Sequence, residues 1–289
     1  ADRTWTYGHV VVDEAQELGA MAWRALARRC PVRSFTVVGD LAQYSGPTAP
    51  SSWGQALRAL GTHPAAEGGA GAQEVQDQRG RGRHGKHRKH GRRGRRGSQG
   101  GSTPLREEVL TVCYRTPATV MEAADAAVTS LGHPPVYPVS SVRDLPDCLR
   151  VDRVGARRPA GGPAAGPALE EALLAAVREE MAELDEAVGP EGGRIAVIAP
   201  DPGACAAWLG ADAALAAAME APGGDVLRAR LAVMGPVMSK GLEFDVVVLV
   251  EPGVIGQASP GDLYVAMTRP TRRLRVVSAG PLPSGLTAP

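Results

Sequence analysis

Apolar residues in this chain come in short β-branched runs, each closed by acidic or glycine-containing polar residues, with alanine-rich stretches between them. Val10-Val11-Val12 favours a strand buried on both faces, and Asp13-Glu14-Ala15-Gln16-Glu17 follows it directly. Leu18–Arg29 carries Met21, Ala22, Ala25 and Leu26 at helical spacing, with arginines toward its end, where the helix dipole favours them, and Pro31 stops it. Ser34–Val38 repeats the β-run and ends in Gly39-Asp40-Leu41-Ala42-Gln43. The spacing between the two runs suits a β-α-β crossover and therefore parallel neighbours in one sheet. Ser51–Leu60 reads as a short serine-capped helix around Trp53, a core anchor. Further on, Val109–Val112 is a strand, and Thr116 caps a helix that has Pro117 at its first position and runs to Leu131. A Pro/Gly link over 155–167 precedes helices at Leu169–Val188 and Ala204–Glu220, with the strand Arg194–Ala199 between them. Leu231–Val237 is extended, Val246–Val250 is an all-apolar strand, Asp262–Arg269 is helical and Leu274–Ser278 is the last strand. Such alternation predicts an α/β fold with parallel sheets and flanking helices.

Composition adds an asymmetry. The 289 residues are 44% apolar but only 4% aromatic, so the core must be built from Ala, Val and Leu. The net charge of +1 conceals a basic tract, Arg79–Arg96, which holds 10 of the 32 Lys and Arg residues and no acid. That tract lies in a low-complexity Gly/Arg/His-rich stretch over 61–104, which is expected to be disordered. It suits contact with the phosphate backbone of DNA or RNA without base readout, or serves as a solvated insertion. The four cysteines are far apart in sequence, which suggests neither a zinc site nor a disulfide framework. No apolar run approaches the ~20 residues of a membrane span. The expected setting is cytoplasmic, bacterial and nucleoid-associated, without a membrane partner.

The polar residues after the β-runs carry the candidate chemistry. Ligands of open α/β sheets bind at the carboxyl ends of the strands. An acid pair there suits a nucleotide and its metal, with Asp13 holding Mg²⁺ and Glu14 orienting and deprotonating the attacking water. Gln16 can reach a γ-phosphate. Gly39 lets the backbone turn tightly, and Asp40 and Gln43 then lie beside Asp13 and Glu14. Arg115 sits at a strand-to-helix junction, a place for a guanidinium aimed into a cleft. Plainer readings stand beside these: a surface acid pair, a turn residue at Asp40, a solvated Arg115, a salt-bridged Arg269 and a turn acid at Glu243.

The ordered motifs resemble one family. VVVDEAQE resembles the Walker B motif of superfamily 1 helicases of the UvrD/Rep type, FTVVGDLAQ their third motif and LTVCYRTP their fourth. SKGLEFDVVVLV resembles their fifth motif and DLYVAMTRPTRRLRVV their sixth. The resemblance implies two RecA-like domains of the P-loop NTPase class with ATP and Mg²⁺ between them. Residues 1–60 would be the C-terminal part of the first domain, 61–104 an insertion and 105–289 the second domain. Asp13 would be the Mg²⁺ carboxylate, Glu14 the catalytic base, Gln16 and Gln43 γ-phosphate sensors, and Asp40 a coupling residue. Arg115 and Arg269 would be arginine fingers, Glu243 would accept a hydrogen bond from the ribose, and Gly241 would allow close backbone approach.

Details such as WRALARRCP, SSW and VEPGVI resemble the actinobacterial HelD-type proteins, ATPases that release RNA polymerase from stalled nucleic acid. RNA polymerase is therefore the implied partner. The aromatic-Arg-Gly segment that follows the third motif in UvrD-type enzymes is replaced here by Tyr44-Ser45-Gly46-Pro47. No GxxxxGK[ST] loop occurs. In this family it precedes the Walker B motif, so the expectation is a fragment that is inactive alone and part of an active ATPase. A UvrD-type 3′–5′ DNA helicase of DNA repair and a non-catalytic nucleic-acid- or protein-binding module are the alternative readings.

Overall fold

The computed structural model describes residues 5–44, 50, 52–60, 105–155, 166–190, 192–221 and 228–286. The insertion expected over 61–104, with its basic tract, lies outside them, as does most of the expected Pro/Gly link.

The first sheet has two strands. β1 (Val10–Val12) and β2 (Phe35–Val37) pair in parallel, Val11 opposite Thr36, and α1 (Ala20–Arg29) makes the crossover. Trp23 is fully buried beneath it, with Ala15, Ala27, Leu57 and Leu60. Both leucines come from the 3-10 turn Leu57–Leu60 that continues the short helix α2 (Trp53–Ala56). Val10–Val12 was expected to be buried on both faces, but Val11 is 68% exposed and its neighbours are half-buried. Helical cover lies on one face only, and an open apolar hollow lined by Val10, Val11, Leu18, Ala22 and Leu26 separates β1 from α1.

A second pair is smaller still. β3 (Val112–Cys113) runs parallel to β4 (Ser140–Ser141), and α3 (Ala118–Ser130) lies between them in sequence. The expected Thr116 cap does not form. Pro117 stands at the N-cap without a side-chain bond, and Thr116 Oγ1 instead donates to the Thr268 carbonyl at 3.0 Å.

The main sheet is parallel throughout. Its strands are β5 (Leu149–Arg153), β6 (Ile195–Ile198), β7 (Leu231–Met234), β8 (Phe244–Val250) and β9 (Pro270–Ser278), ordered β5-β9-β8-β6-β7. Alternate side chains feed two cores. One face packs Val247, Leu249, Leu274 and Val276 against α3 and the helices α7 (Pro252–Ala258) and α8 (Pro260–Met267). The other packs Val246, Val248, Ile195 and Val197 against α4 (Gly166–Val188), α5 (Pro202–Gly210) and α6 (Ala213–Met219). This is the expected α/β class, with the sheet covered on both faces.

Several elements depart from the sequence reading. Ala204–Glu220 is two helices, because Asp212 accepts from the Ala214 and Leu215 amides and caps a new start. The extended run ends at Met234, and Pro236–Ser239 is a 3-10 turn. β5 was not foreseen. Its charged positions are answered by α4 and β9: Arg150 pairs with Glu183 of α4 at 2.6 Å and Asp152 with Arg275 of β9 at 2.6 Å, while Arg275 also meets Glu179 at 2.7 Å and Arg273 reaches the fully buried Glu180 at 2.8 Å. No helix among the described residues is long and apolar enough to cross a membrane.

Candidate functional site

The strand ends of the first sheet meet the N- and C-terminal ends of elements around the main sheet, and most of the sequence-predicted site residues gather there. Glu14 leaves β1 in the left-handed backbone region (φ 49°), a conformation costly for a residue with a side chain. Its amide donates back to Asp13 Oδ1 at 2.8 Å. Gln16, almost fully buried, spans the two strand ends: its Nε2 donates to Glu14 Oε2 at 2.6 Å, and its Oε1 accepts the Asp40 amide at 3.1 Å. Asp40 caps the 3-10 turn Leu41–Gln43 by accepting from the Ala42 amide at 2.9 Å, and its other oxygen accepts from Gln43 Nε2 at 3.0 Å.

Gly39 plays a different part from the one expected. Its backbone does not need the left-handed region. A Cβ there would collide with Gln16 Oε1 and come within 2.9 Å of the Trp53 ring, so the glycine makes room for the strut between the strand ends.

The other side of the site comes from α3, α8 and the loop before β8. The turn Leu41–Gln43 packs on α8. Arg269 follows that helix and is buried, with Nε donating to the Val265 carbonyl at 3.1 Å and Nη1 to the Leu242 carbonyl at 3.4 Å. Its Nη2 crosses to Gln43 Oε1 at 3.2 Å. The Thr116–Thr268 hydrogen bond fixes the start of α3 beside the end of α8, and so sets Arg115 near Arg269. Burial and the neighbouring Arg115 charge lower the Arg269 pKa from 12.5 to about 10, while Glu14, Glu243 and Asp40 pull it back up. Those five groups thus share one electrostatic neighbourhood.

Arg115 Nη1 pairs with Glu243 Oε1 at 2.8 Å, joining two residues 128 positions apart. Its Nε is buried without a hydrogen-bond partner. Gly241 has φ +69°, a turn that a side chain strains, and the nearest atom to a Cβ there would be Glu14 Oε1 at 4.0 Å. The site is therefore a crevice with Glu14 on one wall and Gly241 on the other.

The sequence reading missed three contributors. Lys240 forms an ion pair with Glu17 and stands 3.8 Å from Asp262, tying the loop before β8 to the first sheet. Its signal was present in Ser239-Lys240-Gly241. Asp125 on α3 and Tyr264 on α8 lie behind the crevice. Burial raises the Asp125 pKa above 3.8, its hydrogen bond with Tyr264 opposes that, and the charge of Asp40 adds to it. Tyr264 is likewise raised, first by burial and then by Asp125. Nothing in the spacing of these two residues marked them.

The donor set suits a phosphate and its metal in chemical terms. Asp13 spends one oxygen on its own chain. Mg²⁺ is commonly held by one or two carboxylates, with waters and phosphate oxygens completing the shell. Among the described residues no group of three or more His, Cys, Asp or Glu could hold a metal alone. The partnerless Arg115 Nε is a buried donor available to an anion.

The chain matches no protein-family model. No curated protein matches it either. Among solved structures, it aligns with the C-terminal domain of a possible DNA helicase from Lactobacillus plantarum WCFS1 at 19% identity and a TM-score of 0.40, over 60% of this chain and 92% of that one. It aligns with the arterivirus nonstructural protein 10 helicase at 14% identity and a TM-score of 0.37, over 94% of this chain and 39% of that one. The same helicase in complex with DNA aligns at 16% identity and a TM-score of 0.36, over 94% of this chain and 40% of that one. The chain thus spans about two fifths of the arterivirus helicase.

Proposed function

We propose that the crevice is part of an ATP-hydrolysing site in a superfamily 1 helicase-like motor. In this reading residues 1–60 end one RecA-like domain, 61–104 are an insertion and 105–289 form a second. The observation that carries it is the contact of Arg269 Nη2 with Gln43 Oε1 at 3.2 Å, in the same crevice where Glu14 faces Gly241. Glu14 and Asp40 from the strand ends of one sheet share that neighbourhood with two guanidinium groups from beyond it, while Asp13 lies on the side of the hollow between β1 and α1.

The contacts support the following roles. Asp13 would hold Mg²⁺, whose chemistry when bound is to neutralise charge on the β- and γ-phosphate oxygens. Glu14 would take a proton from the attacking water, and Gln16 aims its carboxylate through the 2.6 Å hydrogen bond. Gln43 reports on the same place to Arg269, and Asp40 holds Gln43 and the turn that carries it. Arg269 and Arg115 would offset charge building on the transferred phosphoryl oxygens. Arg115 is paired with Glu243, so a bound nucleotide would have to take Arg115 from that partner, which would leave Glu243 for a ribose hydroxyl. In this reading the phosphate-cradling loop would come from polypeptide other than these residues.

The work done by the motor is proposed to be release of RNA polymerase from stalled nucleic acid, in a bacterial cytoplasm. The test uses the protein that carries this chain together with its phosphate loop. Glu14→Gln is expected to lower ATP turnover about 100-fold or more and to abolish polymerase release from stalled complexes. Unchanged turnover in Glu14→Gln overturns the assignment of the site. Strong stimulation by single-stranded DNA with strand separation, and no polymerase release, replaces the polymerase reading with a DNA helicase.

A further inference from the structure

A cavity of about 230 Å³ opens between the last turns of α4, the starts of β8 and β9, and the chain that enters β5. None of the residues that line it has a part in the crevice. Its lining is mostly apolar: Leu145 and Pro146 before β5, Leu184 and Ala187 of α4, and Val246 of β8. Glu180, Glu183, Arg272 and Arg273 supply its charge. Both acids are committed to arginines. Glu180, fully buried, accepts from Arg273 at 2.8 Å and from Arg275 at 3.4 Å, and Glu183 accepts from Arg150 at 2.6 Å and from Arg273.

Arg272 differs from them. It is half-buried, and among the described residues its side chain makes no hydrogen bond or ion pair. Its place in the lining has a local cause. In a regular strand, neighbours point to opposite faces, yet Arg272 and Arg273 both line the cavity. The pairing of β8 with β9 slips between Phe244–Pro270 and Val246–Arg273, two steps along one strand against three along the other. Such a bulge re-aims a side chain. A guanidinium carries only donors, so the partner that Arg272 lacks is an acceptor, and an anion is the strongest one.

Size narrows the ligand further. Drug-sized molecules occupy sites of ~300–1,000 Å³, and this cavity is smaller. A dry apolar cavity of about 150 Å³ accepts benzene. One ring or a short apolar chain therefore fits here, with room for a charged group. We propose that this cavity binds a small apolar carboxylate, with Arg272 taking the carboxylate and Leu184, Ala187 and Val246 covering the apolar part. The proposal is independent of ATP hydrolysis at the crevice.

The experiment titrates the whole chain with 3-phenylpropionate, 3-phenylpropanol and 3-phenylpropylammonium, read by saturation-transfer NMR of the ligands. The three share a ring and differ in the charge of the head group. The carboxylate is expected to bind with a dissociation constant of about 1 mM, about tenfold tighter than the alcohol, and the ammonium weakest of all. Arg272→Gln should bring the carboxylate down to the level of the alcohol and leave the alcohol unchanged. Ala187 is exposed, so Ala187→Trp leaves the core untouched, and it should close the cavity to all three ligands. Attraction of the carboxylate to the basic tract at 79–96 would persist through both substitutions. Carboxylate binding that survives both substitutions therefore overturns the proposal. So does equal affinity for the carboxylate and the alcohol, a preference for the ammonium, or no saturable binding of the carboxylate up to about 10 mM.

Discussion

Two valine-rich strands of this protein end in the same way and serve different ends. β1 and β8 are each followed by a glutamate in the left-handed region, Glu14 at φ 49° and Glu251 at φ 50°. Glu251 is knitted into the fold. Its carboxylate accepts from the Ala279 amide at 2.7 Å, the Gly280 amide at 3.2 Å and Ser278 Oγ at 3.1 Å, so it fastens the chain after β9 to the end of β8. Glu14 accepts from Gln16 through one oxygen, and its other oxygen is the nearest atom to the open side of Gly241. Backbone strain alone therefore does not mark a functional acid. What separates the two is where the carboxylate is spent.

The strands differ as their ends do. Val248 is fully buried between two helical layers, while Val11 is mostly exposed. Val248→Ala is expected to cost about 3 kcal/mol in urea unfolding, and Val11→Ala less than about 0.5 kcal/mol. Equal costs would mean that β1 is covered in solution by something the first sheet does not itself supply.

The next contrast is at the glutamates. Glu251→Gly relieves the left-handed strain but leaves the Ala279 and Gly280 amides without their acceptor, for a net loss of about 2 kcal/mol. Glu14→Gly relieves the same strain at the cost of one hydrogen bond, so stability should change by less than about 1 kcal/mol. Comparable losses at both positions would make Glu14 a structural residue and remove the distinction drawn here. Gly241→Ala tests the facing wall. It places a side chain at φ +69° and should cost about 1.5 kcal/mol, with the new Cβ no closer to Glu14 Oε1 than ordinary van der Waals contact.

The sequence made legible those parts of the fold whose signal is local. β1, β2, β6, β8 and β9 announce themselves as runs of valine, isoleucine and leucine, and the acids after β1 and β2 stand out because they close such runs. β5 stayed hidden because Leu149-Arg150-Val151-Asp152-Arg153 reads as a charged surface segment. The acids of α4 that answer Arg150, and the arginines on β9 that share them, lie far along the chain. α7 stayed hidden because Pro252, Gly253 and Gly256 argue against a helix, and it is held by burial against α8 and the core. At the site, the residue types and their strand-end positions were readable. The Arg115–Glu243 pair, the Gln16 strut and the packing role of Gly39 were not, since each depends on a contact across the fold.

The smallest effect probes how closely the first sheet and the helices behind the crevice are held. Asp125 sits on α3, yet the charge of Asp40, on the first sheet, is among the causes that raise its pKa. Burial is the larger cause, and the hydrogen bond with Tyr264 works against both. A carboxyl raised above its unfolded value of 3.8 binds its proton more tightly in the folded state. Well below that value both states are protonated and the group costs nothing. As pH rises through 3.8 the unfolded chain ionises first, and stability falls until the folded carboxyl ionises as well. Asp125→Asn removes that penalty and keeps an oxygen for Tyr264. It should therefore melt higher than the parent at pH 7, by a degree or two, with the difference vanishing toward pH 3. In an Asp40→Asn background the gain at pH 7 should shrink, because part of the penalty is already gone. A gain of the same size in both backgrounds would separate Asp40 from Asp125 in solution, and with it the first sheet from α3 and α8.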